Sequence, residues 1–208
     1  MNRSKSNSLF QVLIHLASLA PFLWLAGVFL IHGPGINPIQ YLEKRTGDYA
    51  LVLLLASLAC TPLRIISGSA LFTKFRKPLG LYAFAYAALH LLLFIGLDYG
   101  FDWGEIIQLV LDKTYLWLGL AAFVFLLLLA VTSTLGWQRR LKKNWQRLHA
   151  LVYLTGGLVV LHFALSIKGN LFLLRGEVLW PLIALITLAI LLLIRLKPLR
   201  LAIRRLHR

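Results

Sequence analysis

A single cysteine, Cys60, stands among 208 residues. This excludes an internal disulfide, a Cys-x-x-Cys-His haem attachment and a four-cysteine iron–sulfur site within the chain. A metal site here has to use histidine. Acidic residues are scarce as well, seven Asp and Glu against 22 Lys and Arg, for a formal net charge of +15. Charged residues of both signs make up only 14% of the chain, and 60% of it is hydrophobic. That is too apolar for a soluble domain, whose surface must be charged, so the bilayer is its solvent. Nucleic acid is excluded as a partner, because a basic DNA-binding domain gathers its charge on one polar surface; here charged patches punctuate long apolar runs. The length fits a single domain over 1–208, with no room for a separate nucleotide-binding or flavin-reductase domain once the spans are counted.

Uncharged stretches recur from Leu9 to Ile31, Tyr49 to Leu63, Pro78 to Leu97, Thr114 to Gln138, Leu148 to Ile167 and Val178 to Ile194. The expected fold is all-α: a polytopic bundle of six transmembrane helices over roughly 9–31, 47–66, 78–97, 114–138, 148–167 and 178–196. Continuous apolar runs such as Leu51 to Ala59 lack the period of two that a membrane barrel shows. The first run is longer than a signal-peptide core and reads as a retained span. The N-terminus, the second and fourth connections and the C-terminal tail hold most of the Lys and Arg and no acid. The other connections hold Lys44, Arg45, Lys113, Lys168 and Arg175 together with all seven acids. By the positive-inside rule both termini are cytoplasmic. Trp103, Trp117 and Trp180 then fall near the outer interface and Trp137 and Trp145 near the inner one, as interfacial anchors. No internal repeat is visible.

Of the six histidines, His32 falls in a loop and His207 in the tail, while His15, His90, His149 and His162 fall in predicted spans. An ionisable group at membrane depth is costly, and a lone one is most simply a neutral imidazole bonded to a hydroxyl or carbonyl of a neighbouring helix. Three on two helices favour a function. At about 1.5 Å rise per residue, His90 lies roughly 18 Å into the third span and His162 roughly 21 Å into the fifth. Neutral imidazoles at matched depth on separate helices can approach one iron from opposite faces of a porphyrin. His149 is roughly 20 Å along the same helix from His162, so it implies a second site or none. Gly156 and Gly157 bare the helix face for a macrocycle or a neighbouring helix. At the depth of His149 the third helix offers Arg76 and Lys77, suited to propionates, phosphates or a quinone carbonyl. His15, near the helix-kinking Pro21, is either a propionate or quinone contact or a packed histidine.

The run Leu148-His149-Ala150-Leu151-Val152-Tyr153 after Trp145, with His162 and His90, resembles the ferric reductase-like transmembrane family of haem b proteins. The resemblance extends through His15 to Trp24, Thr61-Pro62-Leu63-Arg64, Leu79-Gly80-Leu81-Tyr82 to His90, Thr132-Ser133-Thr134, and Trp145 to His162. It is narrowest to a branch described as the membrane subunit of a two-protein bacterial system that repairs oxidised methionines in periplasmic proteins. The resemblance implies a multi-pass protein of the bacterial inner membrane. Electrons from quinol or a cytoplasmic flavin reductase would pass through haem b to a periplasmic molybdenum-cofactor methionine sulfoxide reductase, its heterodimer partner. It also implies FMN binding, His90 and His162 as axial haem ligands, and His149 as a ligand or close contact of an inner cofactor. Larger ferric reductases place two histidines on each ligand helix. Here Arg76 or Lys77 stands where the fourth is expected, so one haem follows readily and a second needs unusual ligation.

Competing readings are a stand-alone haem b reductase of ferric iron or oxygen, a histidine-lined proton or ion pathway without metal, and a membrane anchor. The connection from Asp98 to Lys113, where Asp98, Asp102, Glu105 and Asp112 alternate with apolar residues, reads as an amphipathic surface segment with a docking role for its acids.

Overall fold

The structure, a computed structural model, describes residues 3–32, 37–167, 169–170 and 175–206; Lys168 and His207 lie outside them. It is helical almost throughout. The helices are α1 (Arg3–His32), α2 (Pro38–Ser67), α3 (Leu71–Leu92), α4 (Trp103–Asp112), α5 (Thr114–Val131), α6 (Leu135–Leu141), α7 (Lys143–His149), α8 (Leu151–Ser166), α9 (Leu179–Leu193) and α10 (Lys197–Leu206). A π-helical turn, Leu93–Asp98, extends α3. Gly169–Asn170 pairs antiparallel with Arg175–Gly176.

Among the described residues, five helices are long and apolar enough to cross a membrane, and Leu179–Leu193 is a shorter apolar one. At 15 residues, α9 rises about 22 Å, short of the roughly 30 Å hydrocarbon core. The outward apolar faces fit a hydrocarbon solvent: Leu30 is 83% and Trp24 66% exposed.

Several expected boundaries move. The fourth span ends at Val131, not Gln138, because the Thr132 hydroxyl turns back on the Leu128 carbonyl at 2.7 Å and the Trp145 indole N–H takes the Thr132 carbonyl at 2.9 Å. The third helix begins at Leu71, ahead of the expected start at 78, and carries Arg76 and Lys77 within it. Charged side chains are tolerated there because a helix can continue past the hydrocarbon and send them to water. His32, expected in a loop, is the last residue of α1.

The chain divides into two compact units, Met1–Asp102 and Trp103–Arg208. In the first, α2 and α3 form a helical hairpin, and α1 packs on α3. Pro38 starts α2 at a position where its missing N–H costs nothing. Gly68, at φ 69°, ends it with an N–H to the Arg64 carbonyl, the left-handed cap that glycine adopts without penalty. Leu54, Leu58, Ala83 and Tyr86 are buried in this hairpin.

The contact of α1 with α3 is polar at its centre. Tyr86 accepts from the Phe22 N–H at 3.0 Å and donates to the Ser18 carbonyl at 2.8 Å. These are the two groups that would pair with each other in a regular helix. The tyrosine hydroxyl therefore sits in a gap in the α1 ladder beside Pro21, a residue that bends helices and leaves backbone groups needing partners.

In the second unit α5 packs on α8, and α9 on α8. Ala122, Leu126, Thr155 and Val160 are its buried core. Hydroxyls at membrane depth are satisfied locally: Thr155 bonds back to the Leu151 carbonyl at 2.9 Å, the usual way a Thr is carried inside a helix. Arg195 lies over the Tyr153 ring and donates to its hydroxyl at 2.6 Å.

Candidate functional site

The eight residues singled out from the sequence divide evenly: His15, Arg76, Lys77 and His90 in the first unit, His149, Gly156, Gly157 and His162 in the second.

In the first unit the Nδ1 of His90, on α3, lies 2.8 Å from the backbone carbonyl of Glu43 on α2. A carbonyl can only accept, so Nδ1 carries the proton and the lone pair of the neutral ring is on Nε2. That tautomer is the one an Nε2-ligating histidine needs, and a carbonyl on the other nitrogen is its usual orienting partner. The imidazole lies against Gly47, where an added Cβ would stand 3.3 Å from Cε1 and Nδ1. Thr46 places its hydroxyl 2.8 Å from the Leu42 carbonyl and 2.9 Å from that of Glu43.

The second unit repeats this arrangement. His162 Nδ1, on α8, lies 2.7 Å from the Tyr115 carbonyl on α5, and its ring lies against Gly119, where an added Cβ would stand 2.8 Å away. Both bonds span 47 residues of chain. In each the glycine follows the accepting residue by one helical turn. One constant offset carries Glu43 to Tyr115, Gly47 to Gly119 and His90 to His162. The same offset carries buried Ala50 and Leu54 to buried Ala122 and Leu126, and fully buried Ala83 to Thr155. It carries the Cys60 thiol, bonded back to Ala56, to the Thr132 hydroxyl, bonded back to Leu128. The chain therefore contains a repeat in its geometry, contrary to the expectation of none. Identities such as Gly47 with Gly119 and His90 with His162 are interrupted by differences such as Cys60 against Thr132 and Lys77 against His149, which mask it in the sequence.

A packed core histidine would also bond to a carbonyl. The distinguishing feature is the same bond, on the same nitrogen and beside a glycine, in both helix pairs. His149 is held differently. Its Nε2 lies 3.1 Å from the Thr132 hydroxyl, whose single proton is already directed at Leu128, so Nε2 donates. Its ring stacks on Trp145 at 4.1 Å between centroids. Trp145 is thus more than an interfacial anchor: it bonds Thr132 and covers His149. By the constant offset, the counterpart of His149 is Lys77.

His15 is exposed and pairs through Nδ1 with the Tyr82 hydroxyl at 3.0 Å. Arg76 is half-buried and Lys77 exposed; the Arg76 carbonyl accepts from Ser57 at 2.8 Å. Gly156 is buried, whereas a Cβ on Gly157 would meet nothing within 4 Å, so close packing does not require a glycine there. Sequence reasoning passed over Glu43, Tyr115, Gly47, Gly119 and Thr132. Their signal was the equal spacing from Gly47 to His90 and from Gly119 to His162.

The ferric reductase-like transmembrane component family model matches residues 46–161. The chain belongs to that family. The matched region takes in Gly47, His90, Gly119 and His149 and stops one residue before His162. A relative from Xanthomonas axonopodis pv. citri, named protein-methionine-sulfoxide reductase heme-binding subunit MsrQ, is 44% identical over 170 residues, covering 77% of each chain. Another protein of that name, from Rhodospirillum rubrum, is 42% identical over 196 residues, covering 94% of this chain and 89% of its own.

Proposed function

We propose that this chain is a haem b electron-transfer subunit of the bacterial inner membrane. In this reading it takes electrons from the quinone pool, or from a cytoplasmic flavin reductase, and delivers them to a periplasmic molybdenum-cofactor methionine sulfoxide reductase with which it forms a heterodimer. The observation that carries the reading is the paired setting of His90 and His162, each with its Nδ1 proton held by a backbone carbonyl. It is supported by relatives whose name joins haem binding to methionine sulfoxide reduction.

The donor set fits haem. Each unit presents a neutral imidazole whose Nε2 carries the lone pair, a ligand that would hold haem b without cysteine. Bound there, haem supplies a one-electron carrier. The chain's own part is to fix the tautomer of each ring, to orient it against a glycine, and to keep water out with apolar helix faces. Arg76 and Lys77 are assigned to anionic groups at the inner side and His15 to a propionate or quinone contact; Gly156 and Gly157 give a flat group access to α8. FMN enters through the resemblance alone, with no residue assigned to it.

Haem quantification as the pyridine haemochrome tests the stoichiometry. With His90 and His162 as its ligands, the proposal predicts one haem per chain both in the wild type and in His149→Ala. Two haems falling to one in the variant would contradict that assignment. Reoxidation by partner distinguishes this role from a stand-alone reductase. The reduced protein is expected to pass electrons to the periplasmic reductase faster than to ferric chelates or oxygen, and the reverse order would favour the stand-alone enzyme.

The orientation is tested with a membrane-impermeant thiol reagent, since the native Cys60 is buried. A cysteine placed at Lys143 reacts in inverted vesicles and not in intact spheroplasts if the basic connections face the cytoplasm. Labelling in spheroplasts would reverse the topology.

A further inference from the structure

Backbone geometry explains why glycine stands at both repeated positions. In an α-helix the N–H of residue i+4 points at the carbonyl of residue i, and the side chain of i+4 lies over the turn that contains it. Glu43 and Gly47 are one such pair, and Tyr115 and Gly119 another. For an imidazole from a neighbouring helix to reach the second lone pair of that carbonyl, the i+4 position must present no side chain. His90 and His162 occupy that space: their Cε1 and Nδ1 atoms lie 3.3 Å and 2.8 Å from where a Cβ would be built on Gly47 and Gly119.

We propose that Gly47 and Gly119 are positioning residues for the haem iron. Each, with the carbonyl one turn before it, forms a socket that sets the ring plane and the Nε2 direction of its histidine. The inference rests on the haem reading above and adds to it that the ligands' orientation is written into the partner helices α2 and α5. The two sockets differ in tightness. At 2.8 Å a methyl on Gly119 cannot coexist with the ring, so the imidazole must turn or withdraw and its bond to Tyr115 is lost. At 3.3 Å a methyl on Gly47 displaces the ring by a few tenths of an ångström and the Glu43 bond survives, strained. Carbonyl and carboxylate partners of ligating histidines orient the ring and raise its basicity, and losing one lowers affinity about 10–100-fold.

The test compares Gly119→Ala, Gly47→Ala and Gly27→Ala in purified full-length protein expressed with added haem precursor. Gly27, in α1, has nothing within 4 Å of an added Cβ and serves as the control for glycine replacement in an apolar helix. The readouts are haem per chain, the low-temperature resonance of the ferric low-spin iron, which responds to the orientation of each ligating ring, and size-exclusion behaviour. Gly119→Ala is expected to lose haem affinity by about 10–100-fold and to shift the resonance of whatever haem it keeps. Gly47→Ala is expected to retain haem with a smaller resonance shift, and Gly27→Ala to match the wild type.

A merely structural role would change folding without graded movement of the iron resonance. Should Gly119→Ala fail to give a monodisperse protein, the resonance of Gly47→Ala decides alone. A wild-type resonance in Gly47→Ala and in any folded Gly119→Ala, or an equal shift in Gly27→Ala, would overturn the proposal. A wild type without haem would instead overturn the reading beneath it.

Discussion

His90→Ala and His162→Ala are each expected to abolish the reduced-minus-oxidised haem b spectrum of the purified protein. Loss of a ligand exceeds the roughly 10–100-fold cost of losing the group that orients it, so haem content should fall to background in either variant. Alanine also removes the contact to the Glu43 or Tyr115 carbonyl. Those carbonyls remain helix-bonded, so the fold itself loses little, about 1 kcal/mol for one net hydrogen bond. Absorption spectra and size exclusion on the same preparations separate the two effects. The contrast with His149→Ala is the informative part, because that histidine lies in the same stretch of chain but has its Nε2 on Thr132. Full haem occupancy in His90→Ala or His162→Ala would remove that residue from the iron.

Tyr86→Ala is expected to be the most damaging substitution for stability in the first unit. Truncating a buried aromatic ring typically costs about 3–5 kcal/mol. Here it also leaves the Phe22 N–H and the Ser18 carbonyl without the hydroxyl that now joins them, at about 1–3 kcal/mol for a buried orphaned group. The pairing of His15 with Tyr82 is too exposed to hold α1 by itself. The variant should melt well below the wild type in detergent and expose α1 to protease first. Tyr86→Phe keeps the ring and loses the hydroxyl, so it should fall between the two. A wild-type melting temperature in Tyr86→Phe would show that α1 closes its own Phe22 to Ser18 bond once the tyrosine oxygen is gone.

The sequence made the helical membrane architecture legible because two strong physical signals agree: apolar runs of spanning length, and basic residues concentrated in alternate connections. It misjudged boundaries where polar side chains cut the hydrophobic pattern. The fourth helix stops at Val131 because Thr132 and Trp145 close its end, and no hydropathy average registers a hydroxyl bonded back to the Leu128 carbonyl and an indole N–H on the Thr132 carbonyl. The four histidines of the expected spans were visible as costly residues, and the family resemblance implied different roles for them. Their partners were not visible, since Glu43 and Tyr115 act through backbone carbonyls that any residue carries. Gly47 and Gly119 could be noticed only by their equal distance from His90 and His162. The repeat was hidden for the same reason: it conserves bonds and space, while Lys77 stands against His149 and Cys60 against Thr132.

In the proposed function His90 and His162 are set, tautomer and ring direction together, to hold iron, and that role carries the redox reading. It is tested most directly by low-temperature electron paramagnetic resonance of the oxidised wild-type protein, purified after haem-replete expression, with histidine labelled at the ring nitrogens. The expected result is a low-spin ferric signal with hyperfine coupling to two imidazole nitrogens per iron, both lost as a set in His162→Ala. A colourless protein, or a haem whose iron couples to no nitrogen of His90 or His162, would contradict it.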